Sequence, residues 1–219
     1  MFELNAMPFG WSMSPLWSTK LGKPIRAWLN DRQIPHLWYV DDVLILGASK
    51  SDAEMRASTL IHKLTDLGVQ VNVEKSMPEA AQKVRYLGHD LDLRENLAHT
   101  PLEKSTPALK SVQHQLSGKR CQPRNLAAIA GNLLDLNKSN ARLHGLPQQL
   151  MKHAARGVAA NKQKIPTAHV SRLWGLTCPL TWAARECLEK IREGLKDHVP
   201  RVLRPEKLDE WVLQTENSD

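Results

Sequence analysis

No stretch of the 219 residues approaches the roughly 18 consecutive apolar positions that a membrane-spanning helix needs. The first residues, Met1-Phe2-Glu3-Leu4-Asn5, lack the basic segment and apolar core of a secretory signal. Cysteine is scarce. Cys121, Cys178 and Cys187 are odd in number, far apart and without metal-ligand spacing. That excludes a disulfide framework and a zinc ribbon, and it points to reduced thiols in an intracellular protein of cytoplasm or nucleus. There is no internal repeat and no low-complexity tract. What remains is ordinary globular material, with 42% hydrophobic residues, enough for one large domain or two small ones.

Negative charge is missing from one region in particular. Residues 101–204 hold 18 Lys/Arg against 6 Asp/Glu, a net +12, whereas residues 1–100 are near neutral at −1 and residues 205–219 carry −4. A basic half is the electrostatic footprint of a nucleic-acid binder, although a generic basic surface has the same composition.

Against that background, Tyr39-Val40-Asp41-Asp42 stands out. Its two adjacent carboxylates lie between the apolar runs Leu37–Val40 and Val43–Leu46, which read as buried strands joined by a tight turn. Neighbouring carboxylates repel, and each resists ionising beside the other unless a cation neutralises them. Oxygen-only donors suit Mg²⁺, which takes one or two carboxylates together with substrate phosphates. The alternative is a solvent-exposed Asp-Asp turn, since Asp is a common turn residue.

The rest of the chain reads in order. A breaker-rich turn, Met7–Ser12, precedes a helix over about 15–31, with Leu16, Leu21, Ile25, Trp28 and Leu29 supplying its contacts. Ser51 and Glu54 have capping-box spacing ahead of an apolar stripe from Ala53 to Leu67, and Gly68 is placed to end that helix in the left-handed conformation. Val69, Val71 and Val73 alternate as a half-buried strand should, and Val84–Leu93 reads as a hairpin broken at Gly88. Thr106 and Pro107 predict a helix start. Leu126, Ile129, Ala130, Leu133 and Leu134 form a second stripe, followed by Leu143, Leu146 and Leu150. Residues 157–169 read as a linker, 183–195 as a helix, and the acidic tail from Pro205 has no strong pattern. Trp174 and Trp182 read as core, with base stacking as the alternative. The expected class is α+β, with helices on one face of an antiparallel sheet, followed by helical material.

Four segments in this order resemble the motifs of reverse transcriptases. Met7–Pro15 resembles motif B, Tyr39–Asp42 motif C, Leu67–Ser76 motif D, and Tyr86-Leu87-Gly88-His89 the motif E primer grip. Together they span residues 1–93. The Thr106–Leu150 helical region, with its core at Leu126–Leu133, resembles the thumb of DIRS-type (tyrosine-recombinase) retroelement enzymes. The resemblance implies a partial polymerase palm over 1–100, a basic helical thumb over 101–156, a linker and helical connection over 157–204, and an acidic tail over 205–219. It implies RNA-directed DNA polymerase chemistry, a nucleotidyl transfer with two Mg²⁺ ions (Mn²⁺ as the alternative) about 3.5–4 Å apart. An RNA/DNA primer-template and dNTPs would be the partners, with no membrane involved. Asp41 and Asp42 would ligate the metals, and Lys75 would assist the leaving pyrophosphate. Pro8, Phe9, Gly10, Ser12 and Tyr39 would contact template and nucleotide. Tyr86, Leu87, Gly88 and His89 would hold the primer. Side-chain alternation is expected to put Tyr39 on the same face as Asp41.

One element of the family pattern is missing. The motif A aspartate lies upstream of motif B in the family, and here only Glu3 precedes it, while Asp31 lies downstream. The expectation is a fragment or truncated reading frame, inactive as this chain alone and with an unpaired edge on its central sheet. Two alternatives are a nucleic-acid-binding protein without catalysis and a decayed remnant that does not fold.

Overall fold

The computed structural model describes residues 11–72, 74–77, 79–203 and the backbone of strand 211–215. Along the chain run α1 (Ser14–Asp31), β1 (His36–Tyr39), β2 (Asp42–Gly47), α2 (Lys50–Asp66), β3 (Lys83–Tyr86), β4 (His89–Asp92), β5 (Leu97–His99) and α3 (Leu102–Ser117). They are followed by β6 (Arg120–Cys121), α4 (Pro123–Leu136), α5 (Leu146–Lys164), α6 (Val170–Gly175), β7 (Cys178–Pro179), α7 (Trp182–Lys196), β8 (Arg201–Val202) and β9 (Trp211–Thr215). The class is α+β with antiparallel pairing. Two compact units divide the chain. The first comprises Met1–Leu87, Leu91–Asn96 and Glu206–Asp219, and the second Gly88–Asp90 and Leu97–Pro205.

In the first unit β1, β2 and β9 form an antiparallel sheet in that order, with His36 opposite Ile45 and Tyr39 opposite Asp42. Residues directly opposite share a face. One face therefore carries Trp38, Val43 and Ile45, which pack with Leu29 of α1 and with Ala53, Ala57, Leu60 and Leu64 of α2. The other face carries Leu37, Tyr39, Asp42 and Leu44. The small residues Ala53 and Ala57 let α2 approach closely, and Gly47 is required at the end of β2, where a Cβ would collide with the Ala53 backbone nitrogen. The far edge of β2, expected to be unpaired, is taken by β9 from the acidic tail, with Val43 opposite Thr215. That β-prone Trp-Val-Leu-Gln-Thr run finds its partner about 170 positions upstream, so local pattern alone does not reveal it.

The start of α2 also differs from expectation. Ser49, not Ser51, caps it: the Ser49 hydroxyl accepts from the Asp52 backbone N–H at 3.1 Å, and the Asp52 carboxylate accepts from the Ala48 N–H at 2.9 Å. Asp52 takes the reciprocal role expected of Glu54, and it also binds the Arg56 guanidinium at 2.7 Å. Gly68 ends the helix at φ 76°, as expected. No strand follows among residues 69–72. The Val69 N–H turns back to the Leu64 carbonyl, and the Asn72 side chain accepts from the backbones of Glu74 and Lys75 at 3.0 and 3.1 Å. In α1, Leu16 and Leu21 are exposed, and only the C-terminal half of the helix reaches the core.

The second unit is a helical core closed by α3, α4, α5 and α7. Leu126, Ile129, Ala130, Leu133 and Leu136 present one buried stripe of α4, while Leu134 is exposed. Helix α3 starts at Leu102, before the expected Thr106. The Pro101 carbonyl accepts the N–H groups of Lys104 and Ser105, and Pro107 lies inside the helix. The Arg185 guanidinium reaches from α7 to the Leu116 and Gly118 carbonyls at 2.8 and 2.7 Å, satisfying acceptors that the end of α3 leaves open. The stretch 157–169 is helical as far as Lys164. There the buried Asn161 amide donates to the Leu173 and Leu176 carbonyls, both at 3.0 Å, which ties α5 to α6. β5 pairs with β8, and β6 with β7. Cys121 and Cys178, read as unrelated, face each other across β6 and β7 as buried free thiols with sulfurs 3.7 Å apart. Burial and then the neighbouring Cys178 thiol push Cys121 up to about 12. Trp174 packs against the core, but Trp182 is 77% exposed.

Candidate active site

The turn between β1 and β2 holds the carboxylate pair. Val40 and Asp41 are its two central residues, and Asp42 opens β2. Val40 has φ 52°. A positive φ at the first central position is what the primed hairpin turns require, but for a β-branched residue it is a genuine outlier. The Trp38 indole N–H donates to the Val40 carbonyl at 2.9 Å and holds the turn in that shape. Because β1 ends at Tyr39, alternation does not carry through to Asp41. Tyr39 shares its face with Asp42 instead.

Tyr86 meets this hairpin from β3. It is buried, and its hydroxyl donates to the Leu37 carbonyl of β1 at 3.4 Å. Burial, and then the negative charge of Asp42, push its phenol up to about 12. It stays protonated at neutral pH and serves as a fixed donor against β1, close enough to feel Asp42.

Asp41 and Asp42 are half-buried. Two adjacent carboxylates with oxygen donors only match the chemistry of a hard divalent cation, whose charge would relieve their repulsion. Among the described residues no three His, Cys, Asp or Glu side chains gather to complete a metal cluster. The hairpin by itself offers two carboxylates as candidate donors for such a cation.

The remaining sequence candidates are dispersed. Pro8, Phe9 and Gly10 lie outside the described residues. Ser12 is exposed in the turn before α1, and Lys75 is exposed in the turn after α2. Leu87 is exposed in the turn between β3 and β4 at φ 48°, next to Gly88 at φ 74°. Two successive positive φ values mark a two-residue hairpin turn. Gly88 is needed there because a Cβ would strike Lys104 Nζ.

His89 belongs to the second unit and is buried in a polar chain. Its Nε2 lies 3.3 Å from Asp135, its Nδ1 2.8 Å from the Ser139 hydroxyl, and Ser139 lies 2.7 Å from the Thr100 hydroxyl. A carboxylate only accepts, so the proton sits on Nε2, Nδ1 accepts from Ser139, and Ser139 accepts from Thr100. The order Asp, His, Ser suggests a nucleophilic triad. Ser139 is wholly buried, however, so the chain is a structural tie. Burial pushes His89 below its ordinary value although Asp135 pulls upward. Burial would raise Asp135, but hydrogen bonds from Lys104 and Lys138, helped by His89, hold it at about 2. Sequence reasoning missed Trp38 and this network. Nothing local marks a tie between residues about 50 positions apart.

The site is thus a hairpin that carries two adjacent carboxylates at its turn and packs through one face on α1 and α2. Residues 1–91 match the family model described as reverse transcriptase (RNA-dependent DNA polymerase). That segment is similar to the family over the stretch that contains the hairpin and Tyr86. No curated protein matches the chain.

Proposed function

We propose that residues 1–91 act as the palm of an RNA-directed DNA polymerase from a retrotransposon, with Asp41 and Asp42 as cation ligands. The observation that carries this reading is the strained hairpin that presents both carboxylates, within the matched segment. A bound Mg²⁺ would supply Lewis-acid activation and charge neutralisation for nucleotidyl transfer. The chain's own groups have simpler tasks. Asp41 and Asp42 hold the cation, Trp38 and the turn fix their separation, and Tyr86 braces β1 with a hydroxyl that stays protonated. Exposed Tyr39, on the face of Asp42, is the contact for a primer or template end. A DIRS-type origin follows from the resemblance of Leu126–Leu133, and an intracellular location from the unpaired thiols.

These 219 residues carry two of the three carboxylates that the family uses. Primer extension by this chain alone is therefore expected to stay at background, and robust Mg²⁺-dependent synthesis would overturn that part of the reading. Cation binding is tested separately by Mn²⁺ titration followed by electron paramagnetic resonance. Wild type should bind Mn²⁺, and the Asp41→Asn/Asp42→Asn double variant should not. Equal binding by both would remove the hairpin from any metal role. The net +12 over residues 101–204 favours a second reading, nucleic-acid binding without catalysis. It predicts salt-sensitive binding that Asp41→Asn leaves unchanged.

A further inference from the structure

The second unit holds a cavity of about 490 Å³ between α4, α5, β7 and the start of α7. Its lining is apolar at Leu126, Ala160 and Ala184, and basic at His153, Arg156 and Lys164. No Asp or Glu lines it. Neither Arg156 nor Lys164 makes an ion pair or hydrogen bond among the described residues. Burial, and then the Arg156 charge, push His153 below its ordinary value. Thr181 and Ala183, the N-cap and an early residue of α7, also line the cavity, and α7 has no acidic residue in its first turn. The partial positive charge of that helix end adds to the same potential. Between those two lining residues stands Trp182, 77% exposed. An exposed large aromatic next in sequence to two lining residues, together with the unpaired cations of the cavity, supplies the two elements of single-stranded nucleic-acid recognition, a stacking surface and a phosphate site.

We propose that this cavity binds one nucleotide, its phosphate held by Arg156 and Lys164 and its base stacked on Trp182. The site goes beyond the palm reading and does not depend on it, since nothing in it involves Asp41, Asp42 or synthesis. The nucleotide can be free or can form the 5′-phosphorylated end of a strand, because both present the same phosphate and base.

The test is isothermal titration calorimetry on the full chain with dAMP, deoxyadenosine and inorganic phosphate as probes. dAMP should bind saturably, and both fragments should bind about tenfold or more weakly. Arg156→Gln and Lys164→Gln, both at exposed positions, should each weaken dAMP by about tenfold. Trp182→Ala should weaken it similarly. Lys190→Gln, on α7 but outside the cavity, should leave it unchanged, and circular dichroism checks that each variant is folded. A 5′-phosphorylated oligothymidylate that binds more tightly than its 5′-hydroxyl counterpart and than dAMP assigns the strand end, whereas tighter dAMP assigns the free nucleotide. The proposal is overturned by absent dAMP binding at about 1 mM, by unchanged affinity in Arg156→Gln, or by inorganic phosphate binding as tightly as dAMP.

Discussion

Val40 carries the local strain of the candidate active site. A β-branched side chain at φ 52° costs on the order of 1–3 kcal/mol, and here the Trp38 indole bond and the pairing of β1 with β2 hold it in place. Glycine adopts that conformation freely. Val40→Gly is therefore expected to raise stability by about 1 kcal/mol in urea denaturation, and a destabilised variant would show that the left-handed turn is not where the strain lies. Tyr86 offers a direct reading of the neighbouring charge. The chain has only two tyrosines, so Tyr39→Phe leaves a single phenol to titrate at the phenolate absorption band. Its midpoint should lie near 12, and adding Asp42→Asn should lower it, because the charge that opposes phenolate formation is gone. An unmoved midpoint would mean that burial alone sets it. The identity of the Asp pair was legible from the sequence because adjacent carboxylates between apolar runs are rare and costly. The partners that shape the turn were not, because Trp38 and Tyr86 act through backbone carbonyls, which every residue has.

Elements are tied together by buried polar chains, and the one through Thr100, Ser139, His89 and Asp135 makes a sharp prediction. Ser139→Ala removes the link to His89 Nδ1 and leaves that atom and the Thr100 hydroxyl without it, at a cost of about 1–3 kcal/mol. The pH dependence follows from the directions of the shifts. His89 is held below its unfolded value, so between the two values the unfolded chain binds more protons, and stability is lost as pH falls through that window. His153 and His198 are lowered too and add to the same slope. His89→Gln should therefore flatten part of the stability profile below about pH 6.5. Asp135 contributes above the unfolded carboxylate value and loses its contribution only as pH falls toward about 2. Denaturant midpoints across pH check both, and a profile unchanged by His89→Gln would remove His89 as a contributor. At this scale the sequence was most legible where periodicity is long: the α2 stripe is buried at Ala53, Ala57, Leu60 and Leu64 and the α4 stripe at Leu126, Ile129, Ala130 and Leu133, while Leu67 and Leu134, read into those stripes, are exposed. It was least legible at ends. Ser49 displaced Ser51 because Asp52 could reach the Ala48 N–H, and Pro101 displaced Thr106 because a carbonyl cap needs no special side chain. Val69 and Val71 did not form a strand, since the Asn72 side chain offers the backbone a competing turn, and Val73 lies outside the described residues.

The two compact units follow chain order only in part. The first collects Leu91–Asn96 and Glu206–Asp219 from far along the sequence, and β9 closes an edge of β2. No periodicity announces such a pairing, because hydrogen-bonding edges are made of backbone. Charge is different, since it sums from composition, and its division between a neutral first hundred residues and the +12 of residues 101–204 needs no structure to be seen. The physical consequence belongs to the whole chain. Lys and Arg that neutralise phosphates release condensed counterions, and affinity then falls linearly with salt on logarithmic axes, by about 0.7 per phosphate contacted on a single strand. The chain should bind single-stranded RNA or DNA with such a slope, measured by fluorescence anisotropy across a salt series. Asp41→Asn and Asp42→Asn should leave slope and affinity within about twofold when no divalent cation is present, because two carboxylates at a hairpin tip contribute little to a field set by eighteen cations elsewhere. Arg156→Gln with Lys164→Gln should reduce the slope by the contacts those two residues make. A flat salt dependence would mean that the basic residues are spread as a solubilising surface and gather no strand, which would remove the nucleic-acid partner from both readings of the molecule.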